Sequence, residues 1–133
     1  MTQYSETLKA IMAAALAPDV ERFVDFLTDD VEYHFHVSTP PVRGKEGVRR
    51  FMAKYRTIAA DPLWRVDRVA EADGCLFIEG YEEYTDKRTG DRVAHPYMGI
   101  MEFRDGKVAR ETQYFGDPFE PGASRAQWVE RIS

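Results

Sequence analysis

The sequence is poor in cysteine: Cys75 stands alone, which excludes an internal disulfide and a cysteine-built zinc site. It lies within an apolar run and reads as a small buried hydrophobe. No apolar run approaches the ~20 residues that cross a bilayer, so no membrane span is expected. A basic stripe is missing too: 23 acidic residues outnumber 18 basic ones, for a net charge of −5. Phosphate backbones demand such a stripe, so nucleic acid is excluded as a partner. Arg49-Arg50 falls within a helical pattern and reads as a solvated face. No glycine-rich phosphate loop occurs, and Ser5, Ser38, Ser124 and Ser133 stand at helix starts, in loops or at the terminus, none in a nucleophile elbow. The first residues lack the basic-then-apolar layout of a signal peptide, so the cytoplasm is the expected location.

What is present suits one folded domain spanning 1–133, with 44% hydrophobic and 13% aromatic residues. Leu8, Ile11, Met12, Ala15 and Leu16 recur at helical spacing, with Ser5 as N-cap. Pro18 ends that helix, and Asp19 caps a second with Val20, Phe23, Val24 and Leu27 on its apolar face, stopped by Thr28-Asp29-Asp30. Residues 31–37 alternate with period two, as a half-buried strand does. A third helix is predicted over 45–60, with Val48, Phe51, Met52 and Tyr55 on one face, broken by Asp61-Pro62. The rest reads as four antiparallel strands: 64–70 and 75–85 about an Asp73-Gly74 turn, then one around 92–103 and one after the Asp105-Gly106 turn. That last hairpin is expected in the middle of the sheet, ending at Gly116-Asp117-Pro118. An amphipathic tail, 124–132, carries Trp128, Val129 and Ile132. Helices segregated to one side of an antiparallel sheet make an α+β domain.

This order resembles the nuclear transport factor 2-like superfamily, and especially its SnoaL-like, ketosteroid-isomerase-like bacterial members. The residues that carry the resemblance are Asp29-Asp30-Val31, Pro40-Pro41-Val42-Arg43-Gly44, Phe103-Arg104-Asp105-Gly106-Lys107-Val108 and Tyr114-Phe115-Gly116-Asp117-Pro118-Phe119. The resemblance covers nearly the whole chain and implies a cone-shaped, curved antiparallel sheet wrapped around three N-terminal helices (the cystatin-like or SnoaL-like architecture). The superfamily hosts isomerases, epoxide hydrolases, polyketide cyclases, binders and transport adaptors, so it does not fix the chemistry. A steroid-isomerase-like protein would carry an Asp base, an oxyanion Tyr and an acidic donor where this chain has Phe35, Ile11 and Gly99. An epoxide-hydrolase-like protein would show Arg-x-Asp and a further Asp where this chain reads Gly80, Glu82 and Gln113. The segment Asp117-Pro118-Phe119-Glu120 is similar to a phenazine-biosynthesis branch.

The strand phase that the resemblance implies turns Leu76, Ile78, Gly80, Glu82 and Tyr84 towards a cavity. It turns His95, Tyr97, Gly99, Met101, Glu111 and Gln113 the same way. Phe77, Tyr81, Met98, Ile100 and Tyr114 fall on the opposite face, too apolar to leave in water, which points to a homodimer through the outer sheet face. Glu82 is a candidate general base or acid, the blander alternative being a rim carboxylate paired with Arg92 or Lys87. His95 has the intrinsic pKa for proton transfer and shares a face with Tyr97. Tyr33, Phe35, Trp64, Tyr84, Tyr97, Met101 and Gln113 are the candidate ligand-binding residues, the bland alternative being ordinary core aromatics. His34, His36 and Glu32 share a strand face, but the apolar set Val31, Tyr33, Phe35 and Val37 should point inward. No metal and no cofactor are therefore expected, although a one-residue slip would reverse that phase. Two function classes remain open. One is a cofactor-free enzyme doing acid/base chemistry on a hydrophobic, oxygenated small molecule; the other is a non-catalytic binding module of the same fold.

Overall fold

A computed structural model describes residues 3–36 and 39–114. Helix α1 (Gln3–Leu16) buries Leu8, Ile11, Ala14 and Ala15, spaced so that one stripe faces inward. Its last turn holds no basic residue of its own. Arg56, from a later helix, donates to the carbonyls of Ala15, Ala17 and Pro18 and satisfies that end. Asp19 then caps α2 (Val20–Val24), its carboxylate accepting from the Glu21 N–H at 3.0 Å.

The sequence pattern carries this second helix through Leu27, but the chain leaves the helix after Val24. Leu27 opens β1 (Leu27–His34), and residues 28–30 lie inside the strand that they were expected to precede. The Phe26 carbonyl accepts from the Val108 N–H at 2.8 Å, so pairing with a distant strand captures this stretch. Val24 and Leu27, three apart, are compatible with either outcome.

Next come β2 (Val42–Arg43) and α3 (Gly44–Ile58), which runs directly into β3 (Ala59–Ala72). Asp61-Pro62 does not break the helix; Asp61 adopts φ 49° in the strand, where the register shifts between Ala60 and Leu63. Strands β4 (Cys75–Asp86), β5 (Arg92–Arg104) and β6 (Lys107–Tyr114) follow. Both Asp-Gly turns place their two residues at positive φ, 54° and 73° in one, 53° and 79° in the other. Those are the conformations of a type I′ hairpin, which glycine adopts freely.

The strands form one six-stranded, unclosed curved sheet in the order β2-β1-β6-β5-β4-β3, with β6 and β5 at its centre. It is mixed, not wholly antiparallel as expected, because β1 runs parallel to β6. The long excursion through α3 and four strands permits that crossover. The helices cover one face, where Leu8, Ile11, Val31, Val48, Met52 and Met101 join a single core. Along β4 the alternation is plain: Leu76 and Ile78 are buried, whereas Phe77 between them is 39% exposed. Met98 and Tyr114 are exposed on that same outer side. Cys75 is half-buried at the start of β4, not sealed in the core. The 124–132 tail and the Gly116-Asp117-Pro118 breaker lie outside the described residues.

Candidate active site

Three side chains stand side by side across three strands. Trp64 on β3 is opposite Glu82 on β4, which is opposite His95 on β5. Directly opposed residues share a sheet face, so all three project towards the helices. The Trp64 Nε1–H donates to Glu82 Oε2 at 2.6 Å, and the Tyr55 hydroxyl, from α3, donates to the same oxygen at 3.0 Å. The other oxygen, Oε1, lies 3.0 Å from His95 Nε2. On the far side of the ring, Nδ1 is 3.1 Å from the Pro96 carbonyl. Both ring nitrogens thus face oxygens that only accept, an arrangement satisfied in full by the doubly protonated ring. The Glu82 hydrogen bond is the main cause that holds His95 above its ordinary 6.5, with desolvation opposing and the Pro96 carbonyl assisting.

A second acid occupies the neighbouring strand. Glu111 on β6 lies opposite Tyr33 of β1 and Met101 of β5. Its Oε1 accepts from the Gln113 Nε2–H at 2.7 Å. It keeps some accessible surface because it faces a cavity, yet it lies deep in the protein. Burial pushes its carboxyl up from 4.5 to about 7, with the Gln113 amide opposing.

Both acids line one cavity of about 140 Å³ between the helices and the sheet. Its phenols stay protonated at neutral pH. Burial first, then the charges of Glu111 and Glu82, pushes Tyr97 up to about 12 and Tyr33 well above 10. Tyr55 is likewise pushed up, chiefly by burial and then by Glu82. Since Tyr33 and Tyr97 each feel both carboxylates, those two phenols lie within electrostatic reach of both acids. Glycine makes room for one of them: a Cβ on Gly80 would sit 2.7 Å from the Tyr97 ring and would collide with the Arg65 carbonyl. Gly99 does the same more loosely for Gln113, whose amide a Cβ there would meet at 3.5 Å.

Residues 8–111 match the family model of the SnoaL-like domain. The chain belongs to the SnoaL-like family. This SnoaL-like chain is similar to several solved structures. An NTF2-like protein from Burkholderia pseudomallei has a TM-score of 0.78 at 17% identity, covering 100% of this chain and 99% of that one. An LEH-like epoxide hydrolase from M. tuberculosis has a TM-score of 0.72 at 19% identity, covering 96% and 93%. A ketosteroid isomerase-like protein from Catenulispora acidiphila, in complex with trimethylamine, has a TM-score of 0.74 at 14% identity, covering 82% and 84%. At these identities the likeness shows the fold alone. No curated protein matches the chain.

In this SnoaL-like chain, Glu82, His95, Tyr33, Phe35, Trp64 and Tyr97 all border the cavity, as do Met101 and Gln113. Tyr84 does not. It is buried with Ala59, Val93 and Tyr55 in a second apolar cluster, because the α3–β3 junction covers that end of β4. The rim alternative for Glu82 fails on its partners: Arg92 reaches Glu83 and the Asp61 carbonyl, and Lys87 reaches the Arg56 carbonyl. His34 sits beside Glu32 at 3.2 Å, and Glu32 also meets Arg43. Among the described residues no three His, Cys, Asp or Glu side chains gather as a metal would need. No helix of the described residues is long and apolar enough to cross a membrane. Sequence reasoning missed two members of the site. In the sequence Tyr55 shows only the periodicity of a helix's apolar face, and Glu111 shares the cavity-facing phase with nothing local to mark it as an acid of consequence. Its parity with Gln113 was the available signal.

Proposed function

We propose that this SnoaL-like protein is a cofactor-free acid/base enzyme acting on a hydrophobic, oxygenated small molecule. The observation that carries the reading is the convergence on one aromatic cavity of two carboxylates with unlike surroundings and one imidazole. Glu111, titrating at about 7, is suited to take a proton from carbon near neutrality. His95, held charged by Glu82, is suited to give one to the oxygen on which negative charge develops, with the Tyr33 and Tyr97 hydroxyls as further donors. Glu82 is committed to His95, Tyr55 and Trp64, so it serves as the positioning residue that holds the donor in place. Isomerisation, cyclisation and epoxide opening all use this division of labour.

The test is turnover of a panel of epoxides, enones and polyketide-like ketones by wild type, Glu111→Gln, Glu82→Gln and His95→Asn. Each variant should lose ~10²-fold or more in turnover while ligand affinity changes little. A binding module would show no turnover to lose. An identified substrate turned over at the wild-type rate by Glu111→Gln and His95→Asn would overturn the assignment.

The working unit in this proposal is a homodimer joined through the outer face of the sheet. Phe77, Met98 and Tyr114 are exposed there, with Ile100 on the same side. Ile100→Lys should shift the protein towards monomer in analytical ultracentrifugation, and a wild-type monomer at high micromolar concentration would remove the idea.

A further inference from the structure

The cavity is one-sided in charge. Among its described lining residues are two acids, Glu82 and Glu111, and one imidazole, but no Lys or Arg. The charge of His95 is already matched by Glu82. Glu111 takes its hydrogen bond from the neutral Gln113 amide, and no cation among the described residues balances it. The remaining wall is largely aromatic. Tyr33 and Phe35 both pack on Phe51, with ring centroids 5.1 and 5.0 Å away. Tyr55 and Trp64 form a second cluster, 6.0 Å apart. The faces of such rings carry partial negative charge, which attracts a cation and repels an anion.

We propose that the cavity takes a compact alkylammonium group, seated among these rings with Glu111 as its counter-ion. Aromatic faces offer an alkylammonium both dispersion and electrostatic attraction without hydrogen bonds. A cavity of about 140 Å³ suits a group of that bulk. The inference deepens the acid/base reading and rests on it, naming the substrate class as hydrophobic, oxygenated amines.

A bound cation favours the ionised form of Glu111, so binding near neutrality expels its proton and affinity rises with pH. The polar and titratable groups that line the cavity with Glu111, among the described residues, are Gln113 on its own strand, Tyr33 on β1, Tyr97 and His95 on β5, Glu82 on β4, Trp64 on β3 and Tyr55 on α3. Helices α1 and α2 contribute only apolar side chains to this wall. The phenols stay protonated throughout. Loss of the His95 proton at higher pH makes the cavity more negative and acts in the same direction, so the decisive comparison is wild type against Glu111→Gln.

The experiment is calorimetric titration with tetramethylammonium, the uncharged neopentyl alcohol and the anionic pivalate, at about pH 6 and about pH 8. Tetramethylammonium should bind wild type ~10-fold or more tighter than neopentyl alcohol at about pH 8, with the margin narrowing at about pH 6. Pivalate should not bind, and Glu111→Gln should lose most of both the margin and its pH dependence. Neopentyl alcohol binding as tightly, pivalate binding, or no binding of tetramethylammonium would overturn the proposal. If the ammonium preference is absent while Glu111→Gln still abolishes turnover, the inference falls and the acid/base reading stands. If the preference is present while Glu111→Gln and His95→Asn keep full turnover of an identified substrate, the ligand class stands and the catalytic roles fall.

Discussion

Glu82 and Glu111 face the same cavity from strands two apart in the sheet, and the protein treats them in opposite ways. Glu82 is surrounded by donors: an indole N–H, a phenol O–H and an imidazole, each from a different element. Among the described residues Glu111 has the Gln113 amide from its own strand and a largely apolar and aromatic cavity wall, and its carboxyl is pushed to about 7. Two identical side chains are therefore set apart by environment alone, and the proposed function rests on that difference. The difference is set by what neighbouring strands and α3 bring alongside each acid, because the two share the same face of one sheet.

The strongest way to break the comparison is to delete each acid in turn. Glu82→Leu would strand the Trp64 and Tyr55 donors and leave His95 without its partner, a cost of about 3–5 kcal/mol in chemical denaturation. Glu111→Gln should go the other way. Its folded-state pKa lies above the ordinary 4.5, so the folded protein holds a proton that the unfolded chain has released between about 4.5 and about 7. The contribution of this group to stability is therefore greatest below that window and falls as pH rises through it. A glutamine carries no such penalty, so Glu111→Gln should stabilise by up to on the order of 3 kcal/mol at about pH 8 and by little at about pH 4, read from melts at both. A variant destabilised equally at both pH values would show that Glu111 is not strained by burial. The smallest expected effect is on the phenol between the acids. Gly80→Ala should press on the Arg65 carbonyl and displace the Tyr97 ring at a cost of about 1–3 kcal/mol, weakening ligand binding while His95 keeps its raised pKa.

The frame of this arrangement is legible in the sequence because it rests on local rules. Two Asp-Gly pairs announce their hairpins, and the strand phase that the family resemblance implies turns Glu82, His95, Tyr97 and Gln113 to one face and Phe77 and Met98 to the other. What sequence reasoning misses depends on long-range neighbours. The end of α2 is decided by pairing of Phe26 with Val108, 82 residues away along the chain. The parallel seat of β1 against β6 puts Tyr33 beside Glu111, a contact that no local pattern encodes. Tyr55 shows only helical periodicity, and its hydroxyl finds Glu82 through the packing of α3 on β4. Tyr84 has the right parity but the wrong end of the strand, since the passage from α3 into β3 closes over it.

The central claim, that one cavity holds two glutamates separated in function by their surroundings, is tested most directly by nuclear magnetic resonance titration of the Glu111 side-chain carboxyl. The account predicts a midpoint at about 7 for Glu111, with the His95 ring titrating above 6.5 in the same protein and falling back in Glu82→Gln. A Glu111 carboxyl that titrates near its ordinary 4.5 would contradict it.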